Sequence, residues 1–237
     1  MRESCKILAK VHEELGKAIK PGISTKDIDI LAEKLIRSYD CIPNFLNYNG
    51  YPASVCVSVN EEVVHVIPSK QRILKEGDIV SLDCGCIYKG YHSDAARTYG
   101  VGAVSKEVQQ LMDVTKQSFF EGIKMAKAGN HLYDISNAID DYVSQFGYGI
   151  VKDLVGHGIG TSLHEDPQIP NFRQKRKGLL LQPGMTLAIE QMINMGTWEV
   201  EFLDDDWTVV SRDGLPSAHY ENTILITDGE PEILTIL

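Results

Sequence analysis

The segment Ile79-Val80-Ser81-Leu82-Asp83 ends in a carboxylate, and Tyr91-His92-Ser93-Asp94 adds a second one shortly after it. Both segments have the β-branched and aromatic content of strands, and Lys89-Gly90 between them predicts a hairpin turn. Two registers fit this hairpin, with Asp94 opposite Asp83 or opposite the residue two positions further on. Because side chains alternate between faces, both registers put the two carboxylates on the same face of a sheet.

Two carboxylates on one face of apolar strands repel each other, and both are costly to bury. A divalent cation between Asp83 and Asp94 would remove this cost, since hard cations prefer carboxylate oxygen. The alternative is a face that water simply covers. The hairpin alone does not decide between these interpretations.

Two further acidic residues lie in segments that are otherwise apolar. Glu190 follows Met185-Thr186-Leu187-Ala188-Ile189, and Glu221 precedes Asn222-Thr223-Ile224-Leu225. Acidic residues in such strands are rarely left unpaired. Ion pairs with Lys or Arg are the main alternative to a cation, and Arg97 is the nearest candidate partner. Four carboxylates of this kind favour a cation site over a solvated surface.

Three histidines are candidates for the same site. His157 lies in Gly156-His157-Gly158-Ile159-Gly160, where the glycines allow another backbone to approach closely. His164 follows shortly after, and His65 is polar among apolar neighbours. A lone histidine is more often a packing or surface residue than a ligand. Beside four carboxylates, however, His157 becomes a reasonable nitrogen ligand for a metal.

Other chemistries have weak support in the sequence. The glycines around His157 do not form GxGxxG or a P-loop, and the chain contains no GxSxG motif. Cys84 and Cys86 form a CxC pair without further cysteines at zinc-site spacing. The run Asp204-Asp205-Asp206 predicts an exposed loop.

Periodicity predicts helices over 2–18, from Thr25 to Ile36, over 105–127 and over 131–146, with Thr25 as the cap of the second helix. Residues 44–52 predict a loop. Strands are predicted over 54–59, 78–84, 92–101, 150–155, 185–192, 207–211 and 218–227. The second half loosely repeats the order of the first, and no linker separates them. We therefore expect one domain over 1–237, with halves of roughly 1–127 and 128–237.

Composition limits the classes of function. A chain of 237 residues with 43% hydrophobic and 24% charged residues is typical of a globular protein. Its net charge of −10 disfavours nucleic-acid and membrane partners. The first residues do not read as a signal peptide, and no apolar run reaches the roughly 18 residues of a membrane span. Five cysteines without a CxxC motif predict free thiols and a cytoplasmic location.

Five residues in chain order resemble the metal ligands of the methionine aminopeptidases: Asp83, Asp94, His157, Glu190 and Glu221. The surrounding segments match that family as well, namely Gly50-Tyr51-Pro52, Ser54-Val55-Cys56, residues 78–83, residues 156–160 and His219-Tyr220-Glu221-Asn222-Thr223. The resemblance implies the α+β pita-bread fold, in which two pseudo-symmetric halves form a curved antiparallel sheet covered by helices. The length leaves no room for the extra domain of prolidases or the insertion of type 2 enzymes, so the chain looks like type 1.

The resemblance implies a metal-dependent aminopeptidase that removes N-terminal methionine from peptides and nascent proteins with a small second residue. A hydroxide that bridges two divalent ions (Co, Mn, Fe or Zn) would attack the first peptide carbonyl. Asp94 and Glu221 would bridge both ions, Asp83 would bind one, and His157 and Glu190 the other. Glu190 would also carry the proton, while His65 and His164 would face the substrate. The resemblance leaves contact with the ribosome open.

By the same resemblance, five residues line the methionine pocket together with His65 and His164: Phe45, Tyr51, Cys56, Leu163 and Trp207. Ordinary core packing is the alternative for these five. Two departures from the family pattern bear on pocket shape, since Val66 follows His65 in place of glycine and Leu163 precedes His164 in place of an aromatic residue. Two other functions stay open: an Xaa-Pro peptidase and a non-catalytic binding module, both of the same fold.

Overall fold

Four α-helices and thirteen strands make up the chain, and the structure, a computed structural model, describes residues 1–237. The helices are α1 (Arg2–Ala18), α2 (Thr25–Ser38), α3 (Lys106–Ile123) and α4 (Leu132–Val143). The strands are β1 (Ile42–Pro43), β2 (Cys56–Val59), β3 (Glu62–Val64), β4 (Ile79–Tyr88), β5 (Tyr91–Gly100), β6 (Gly149–Ile150), β7 (Gly156–Gly158), β8 (Glu165–Ile169), β9 (Thr186–Asn194), β10 (Val200–Phe202), β11 (Val209–Ser211), β12 (Ser217–Leu225) and β13 (Glu232–Ile233). None of the helices combines the length and apolar composition needed to span a membrane.

One antiparallel sheet of ten strands runs through the whole molecule, in the order β1-β4-β5-β12-β9-β7-β8, with β2, β6 and β13 paired beside this path. A second sheet contains only β10, β11 and β3. The two halves meet at the centre of the large sheet, where Glu221 pairs with Ala96 and Asn222 with Ala95. Residues 1–127 contribute α1, α2, α3 and the β4–β5 pair, and residues 128–237 contribute α4 and the β9–β12 pair. The mixed α+β class predicted from the sequence is confirmed.

The hairpin of β4 and β5 has the register in which the turn is centred on Lys89-Gly90. Tyr88 pairs with Tyr91, and Asp94 pairs with Gly85. Asp83 pairs with Ala96, so its side chain lies on the same face as that of Asp94. The prediction of a shared face is therefore confirmed.

The two faces of the large sheet have different environments. Leu82 and Cys84 of β4 belong to the core under α1 and α2, and Ile189 and Ile193 of β9 belong to the core under α3 and α4. Asp83 and Glu190 have the opposite parity and lie on the face away from the helices. Burial of the apolar set against the helices therefore fixes which side chains point to the other face.

The N-cap of the second helix lies one residue earlier than the sequence predicted. Ser24 is its N-cap, and its hydroxyl accepts a hydrogen bond from the backbone N–H of Asp27 at 3.1 Å. Asp27 completes a capping box because its carboxylate accepts from the backbone N–H of Ser24. Thr25 is then the first helical residue, and the prediction of Thr25 as the cap was wrong.

The predicted strand over 150–155 was also wrong. Only Gly149 and Ile150 pair with β9, and the chain leaves the sheet after Val151, whose N–H still donates to the Met192 carbonyl. It returns to β9 at β7, where His157 pairs with Ala188. Several short strands were not predicted, among them β3, β8 and β10, because they carry charged residues and lie partly exposed.

Substitution of Phe119 tests how much the core under α3 and α4 contributes to stability. Its ring is fully buried and lies edge-on to Phe120 and Tyr220. We expect Phe119→Ala to lower the free energy of unfolding by about 3–5 kcal/mol, measured by denaturant titration. Phe146, which is 37% exposed, is the matched control, and Phe146→Ala should cost less than about 1 kcal/mol. Equal losses in the two variants would contradict this account of the core.

Candidate metal centre and active site

A cavity of about 220 Å³ opens on the sheet face away from the helices. All twelve residues that the sequence analysis singled out for the site line it: Phe45, Tyr51, Cys56, His65, Asp83, Asp94, His157, Leu163, His164, Glu190, Trp207 and Glu221. Tyr48 and Asn49 also line it and were not predicted. The fold thus brings together residues that are spread over most of the chain.

Four neighbouring strands each place one carboxylate in this cavity. Asp83 comes from β4, Asp94 from β5, Glu221 from β12 and Glu190 from β9. Glu221 and Glu190 are directly paired across their strands. The four acidic groups therefore converge because four adjacent strands expose the same face at the same level.

His157 is held on β7 between two glycines that have no room for a side chain. A Cβ at Gly156 would lie 2.4 Å from the Ala188 carbonyl oxygen, and one at Gly158 would lie 2.2 Å from the Asp166 carbonyl oxygen. His157 Nδ1 lies 2.8 Å from the Gly158 carbonyl oxygen and donates to it. Its Nε2 is then the free nitrogen, 3.4 Å from Glu190 Oε1 and 3.9 Å from Asp94 Oδ2. This tautomer is the one that a metal ligand needs.

No Lys or Arg side chain forms an ion pair with these carboxylates. Arg97, the candidate partner from the sequence, donates instead to the backbone carbonyls of Ala96 and Glu221 and to Asn222 Oδ1. Asp83 Oδ1 and Glu221 Oε1 are buried without any hydrogen-bond partner. Ion pairs with Lys or Arg therefore do not explain the acidic set, and two of its oxygens are left without a partner.

The donor set fits a divalent metal. Ligand atoms of Asp94, His157 and Glu221 lie within 4.8 Å of one another. Carboxylate oxygens with one imidazole nitrogen suit Mn, Fe, Co and Zn ions. A metal here would neutralise the buried charge and would occupy the unpartnered oxygens.

The titration behaviour of the side chains follows from their burial. Burial raises the pKa of Asp83 to about 7. The pKa values of Asp94, Glu190 and Glu221 rise well above their ordinary range, first by burial and then by the neighbouring carboxylates. Burial, together with His164, lowers the pKa of His157 to about 4, so its imidazole is neutral. Without a metal, these raised pKa values favour protonation of the carboxylates.

His65 and His164 flank this cluster in the cavity. His65 follows β3 with a φ of +61°, a left-handed conformation that a non-glycine residue adopts at a cost. Burial lowers its pKa to about 4, and a smaller contribution comes from His164. His164 Nδ1 lies 2.8 Å from the Tyr48 hydroxyl, and its ring lies 4.3 Å from that of His157. Tyr48 thus orients His164, and burial lowers the pKa of both imidazoles.

The apolar residues predicted for the pocket form a small core of their own on this face. Phe45, Tyr51, Cys56 and Leu163 are buried in it, and Trp207 packs against it. The Tyr51 hydroxyl donates to the Val66 carbonyl at 2.8 Å, and its ring meets Trp207 edge-on at 5.0 Å. These residues both pack together and line the cavity, so the alternative of core packing does not exclude a pocket.

His219 is a fourth histidine at the site, and the sequence analysis did not assign it. It is 1% exposed, and its Nε2 lies 3.9 Å from Glu190 Oε2. Its position two residues before Glu221 on β12 gives both side chains the same face, and this parity was the available signal. Tyr48 and Asn49 gave no such signal, because they lie in an irregular segment.

A family comparison agrees with this geometry. The model of metallopeptidase family M24 matches residues 1–228. The chain belongs to this family. Its relatives include a methionine aminopeptidase from Clostridium acetobutylicum that is 53% identical over 236 residues, covering 100% of this chain and 94% of the relative. Use of a divalent metal is thus a property of the family as well as of the donor set.

Solved structures of the family have the same fold. A methionine aminopeptidase from Thermotoga maritima superposes with a TM-score of 0.98 at 44% identity, covering 100% of this chain and 95% of that one. An Xaa-Pro dipeptidase from Bacillus anthracis reaches 0.79 at 24% identity, with 99% of this chain but only 59% of that chain covered. The second likeness shows the fold alone. The pita-bread arrangement expected from the sequence is confirmed.

The glycines beside His157 provide a test of the metal centre. Gly156→Ala forces β7 away from β9, because the new Cβ meets a backbone oxygen. We expect at least a tenfold loss of metal affinity, measured by calorimetry, and about 1–3 kcal/mol lower stability. Gly160→Ala is the control, since its Cβ would meet only the movable Glu165 carboxylate at 3.0 Å. Equal metal affinity in both variants would show that the close approach is unimportant.

Metal binding should also release protons. The carboxylates with raised pKa values hold protons below those values, and a metal must displace them. At pH 6.5 we expect the release of about one proton or more per chain, decreasing as the pH rises. Calorimetry of the metal-free protein in two buffers of different ionisation enthalpy measures this number. Asp83→Asn should release fewer protons, and no release from the unmodified chain would contradict the assignment.

Proposed function

We propose that this chain is a type 1 methionine aminopeptidase, which removes the N-terminal methionine from peptides and nascent proteins with a small second residue. The observation that carries this proposal is one cavity in which an apolar pocket adjoins the five side chains that we propose to bind metal. Full-length relatives that bear this name support it. The activity is a metal-dependent hydrolysis of the first peptide bond.

Two divalent ions per chain form part of the proposal. Asp94 and Glu221 lie on the two central strands and would be shared by both ions. Asp83 would hold one ion from the β4 side, and His157 and Glu190 would hold the other from the β7 and β9 side. The four carboxylates carry −4 in total, which two divalent ions balance. When bound, the ions activate a water and polarise the scissile carbonyl.

The histidines act on the substrate. His65 and His164 are neutral, so each can donate an N–H to the oxygen or nitrogen of the scissile amide. When the Tyr48 hydroxyl donates to His164 Nδ1, the imidazole carries its proton on Nε2. The fixed orientation of His164 then costs nothing at the moment of reaction.

Glu190 is the proposed proton carrier. It is buried in the cavity wall between two imidazoles, with its side chain 16% exposed. Its carboxylate can take a proton from the attacking water and give it to the leaving amine. The raised pKa of this carboxyl, caused by burial, favours proton uptake.

The pocket accounts for the choice of the first residue. Phe45, Tyr51, Cys56, Leu163 and Trp207 offer an apolar surface to an unbranched thioether side chain. A cavity of about 220 Å³ leaves little room beyond that side chain. A small second residue, such as Gly, Ala or Ser, fits this space.

The domain organisation, the location and the partners of the chain form a further part of the proposal. We propose that residues 1–237 act as one catalytic domain with halves 1–127 and 128–237, which the continuous sheet supports. Five free, buried cysteines support a cytoplasmic location. The substrates include nascent chains, and contact with the ribosome remains a proposal. The net charge of −10 disfavours direct contact with RNA.

The decisive experiment is peptide hydrolysis. The purified protein with Co²⁺ or Mn²⁺ should release methionine from Met-Ala-Ser, and a chelator should abolish this activity. Asp94→Ala and Glu221→Ala should lower turnover at least a thousandfold, because each removes a carboxylate proposed to hold both ions. Release of methionine is measured by chromatography.

An Xaa-Pro dipeptide is the matched control substrate. We expect Met-Ala-Ser to be cleaved at least a hundred times faster than this dipeptide. The reverse preference would favour the Xaa-Pro peptidase. Absence of turnover with bound metal would favour a binding module, and full activity of Asp94→Ala would refute the metal assignment.

A further inference from the structure

Glu190 lies between two imidazoles that approach different oxygens of its carboxylate. His157 Nε2 is 3.4 Å from Oε1, and His219 Nε2 is 3.9 Å from Oε2. His157 presents its unprotonated nitrogen, because its Nδ1 donates to the Gly158 carbonyl. When Glu190 is ionised, its Oε1 and the His157 nitrogen are therefore two acceptors close together. Two ligands of one ion would have this arrangement. Oε2 points away from that space toward His219.

The backbone of His219 is fixed from the side of β5. Thr98 Oγ1 accepts a hydrogen bond from the His219 N–H at 2.9 Å and donates to the His219 carbonyl, also at 2.9 Å. Ser81 Oγ lies 2.8 Å from the same hydroxyl. β5 and β12 are paired at Glu221 and Asn222, so these hydroxyl contacts continue the connection between the strands. The imidazole of His219 consequently projects from a firmly held position.

The imidazole itself lacks a partner. His219 is 1% exposed, and its Nε2 is buried without a hydrogen bond. Leaving a buried polar nitrogen without a partner costs about 1–3 kcal/mol. The acceptor closest to it among ionisable groups is Glu190 Oε2. A shift of about 1 Å brings this pair to an ordinary hydrogen-bond distance.

We propose that His219 is a positioning residue for Glu190. Its Nε2–H donates to Oε2 and turns the carboxylate so that Oε1 faces the ion shared with His157. The proposal rests on the proposed function, since it deepens the role of Glu190 in that reaction. Without His219, Glu190 could rotate, bind the ion through both oxygens and lose its alignment for proton transfer.

Two substitutions separate this role from simple packing. His219→Gln keeps an N–H donor of similar reach, whereas His219→Leu keeps the volume and removes the donor. For Met-Ala-Ser with Mn²⁺ we expect His219→Leu to lower kcat about 10–100-fold with KM within about twofold. His219→Gln should keep kcat within about threefold of the unmodified enzyme. His12→Gln is the control, because His12 is equally buried but lies 2.8 Å from the Ala95 carbonyl, on the helix side of the sheet.

A second measurement reads the unmodified protein and uses a variant only to assign the signal. Nitrogen NMR of the Zn²⁺-loaded, unmodified protein with labelled histidine reports which nitrogen of His219 carries the proton. We expect the Nε2–H tautomer with a proton that exchanges slowly with water. His219→Gln assigns the signal by its disappearance.

Each outcome has a clear meaning. Wild-type kcat in folded His219→Leu, equal losses in the Leu and Gln variants, or a proton on Nδ1 would overturn the proposal. If the unmodified protein does not cleave Met-Ala-Ser at all, the proposed function fails, while the NMR result still shows whether His219 carries its proton on Nε2, as donation to Glu190 requires. The predicted pattern is loss with Leu, rescue with Gln and an Nε2–H signal.

Discussion

Mutual repulsion among four buried carboxylates is the constraint on which the structure of the site depends. Asp83, Asp94, Glu190 and Glu221 share one face of four adjacent strands, and their ion-pair contacts involve histidines but no Lys or Arg. In a protein interior such charges must bind protons or cations, because their interaction with each other is unfavourable. Every other feature of the site either brings these groups together or supplies what they lack. His157 adds a nitrogen donor, and the proposed ions supply the positive charge.

Packing of the sheet against the helices stabilises this arrangement. Apolar side chains of opposite parity on the same strands are buried in two cores, one under α1 and α2 and the other under α3 and α4. Their burial fixes the register, and a slip of one residue would turn the carboxylates into the core. One face of the sheet therefore provides stability, and the other face provides chemistry. The small apolar core around Tyr51 and Leu163 lies on the chemical face, where it forms the pocket.

Much of the site could be predicted because parity and burial act locally. Either register of the hairpin put Asp83 and Asp94 on the same face of the sheet, so their proximity could be predicted. Glu190 could be singled out because it is an acidic residue in an otherwise apolar strand. The glycines around His157 indicated close approach, but only the fold shows that the neighbours are backbone oxygens. His219 was missed because its partner is distant in sequence. The prediction of a strand over 150–155 was wrong, because the apolar composition of a segment does not show where the chain leaves the sheet.

Diffraction can test directly whether the acidic face of the sheet holds metal. Crystals grown with Mn²⁺ should show two anomalous peaks roughly 3.5–4 Å apart, surrounded by Asp83, Asp94, His157, Glu190 and Glu221. A single peak would support the cation site but not the pair of ions. Absence of any anomalous density in this cavity, at a Mn²⁺ concentration that supports hydrolysis, would contradict the account.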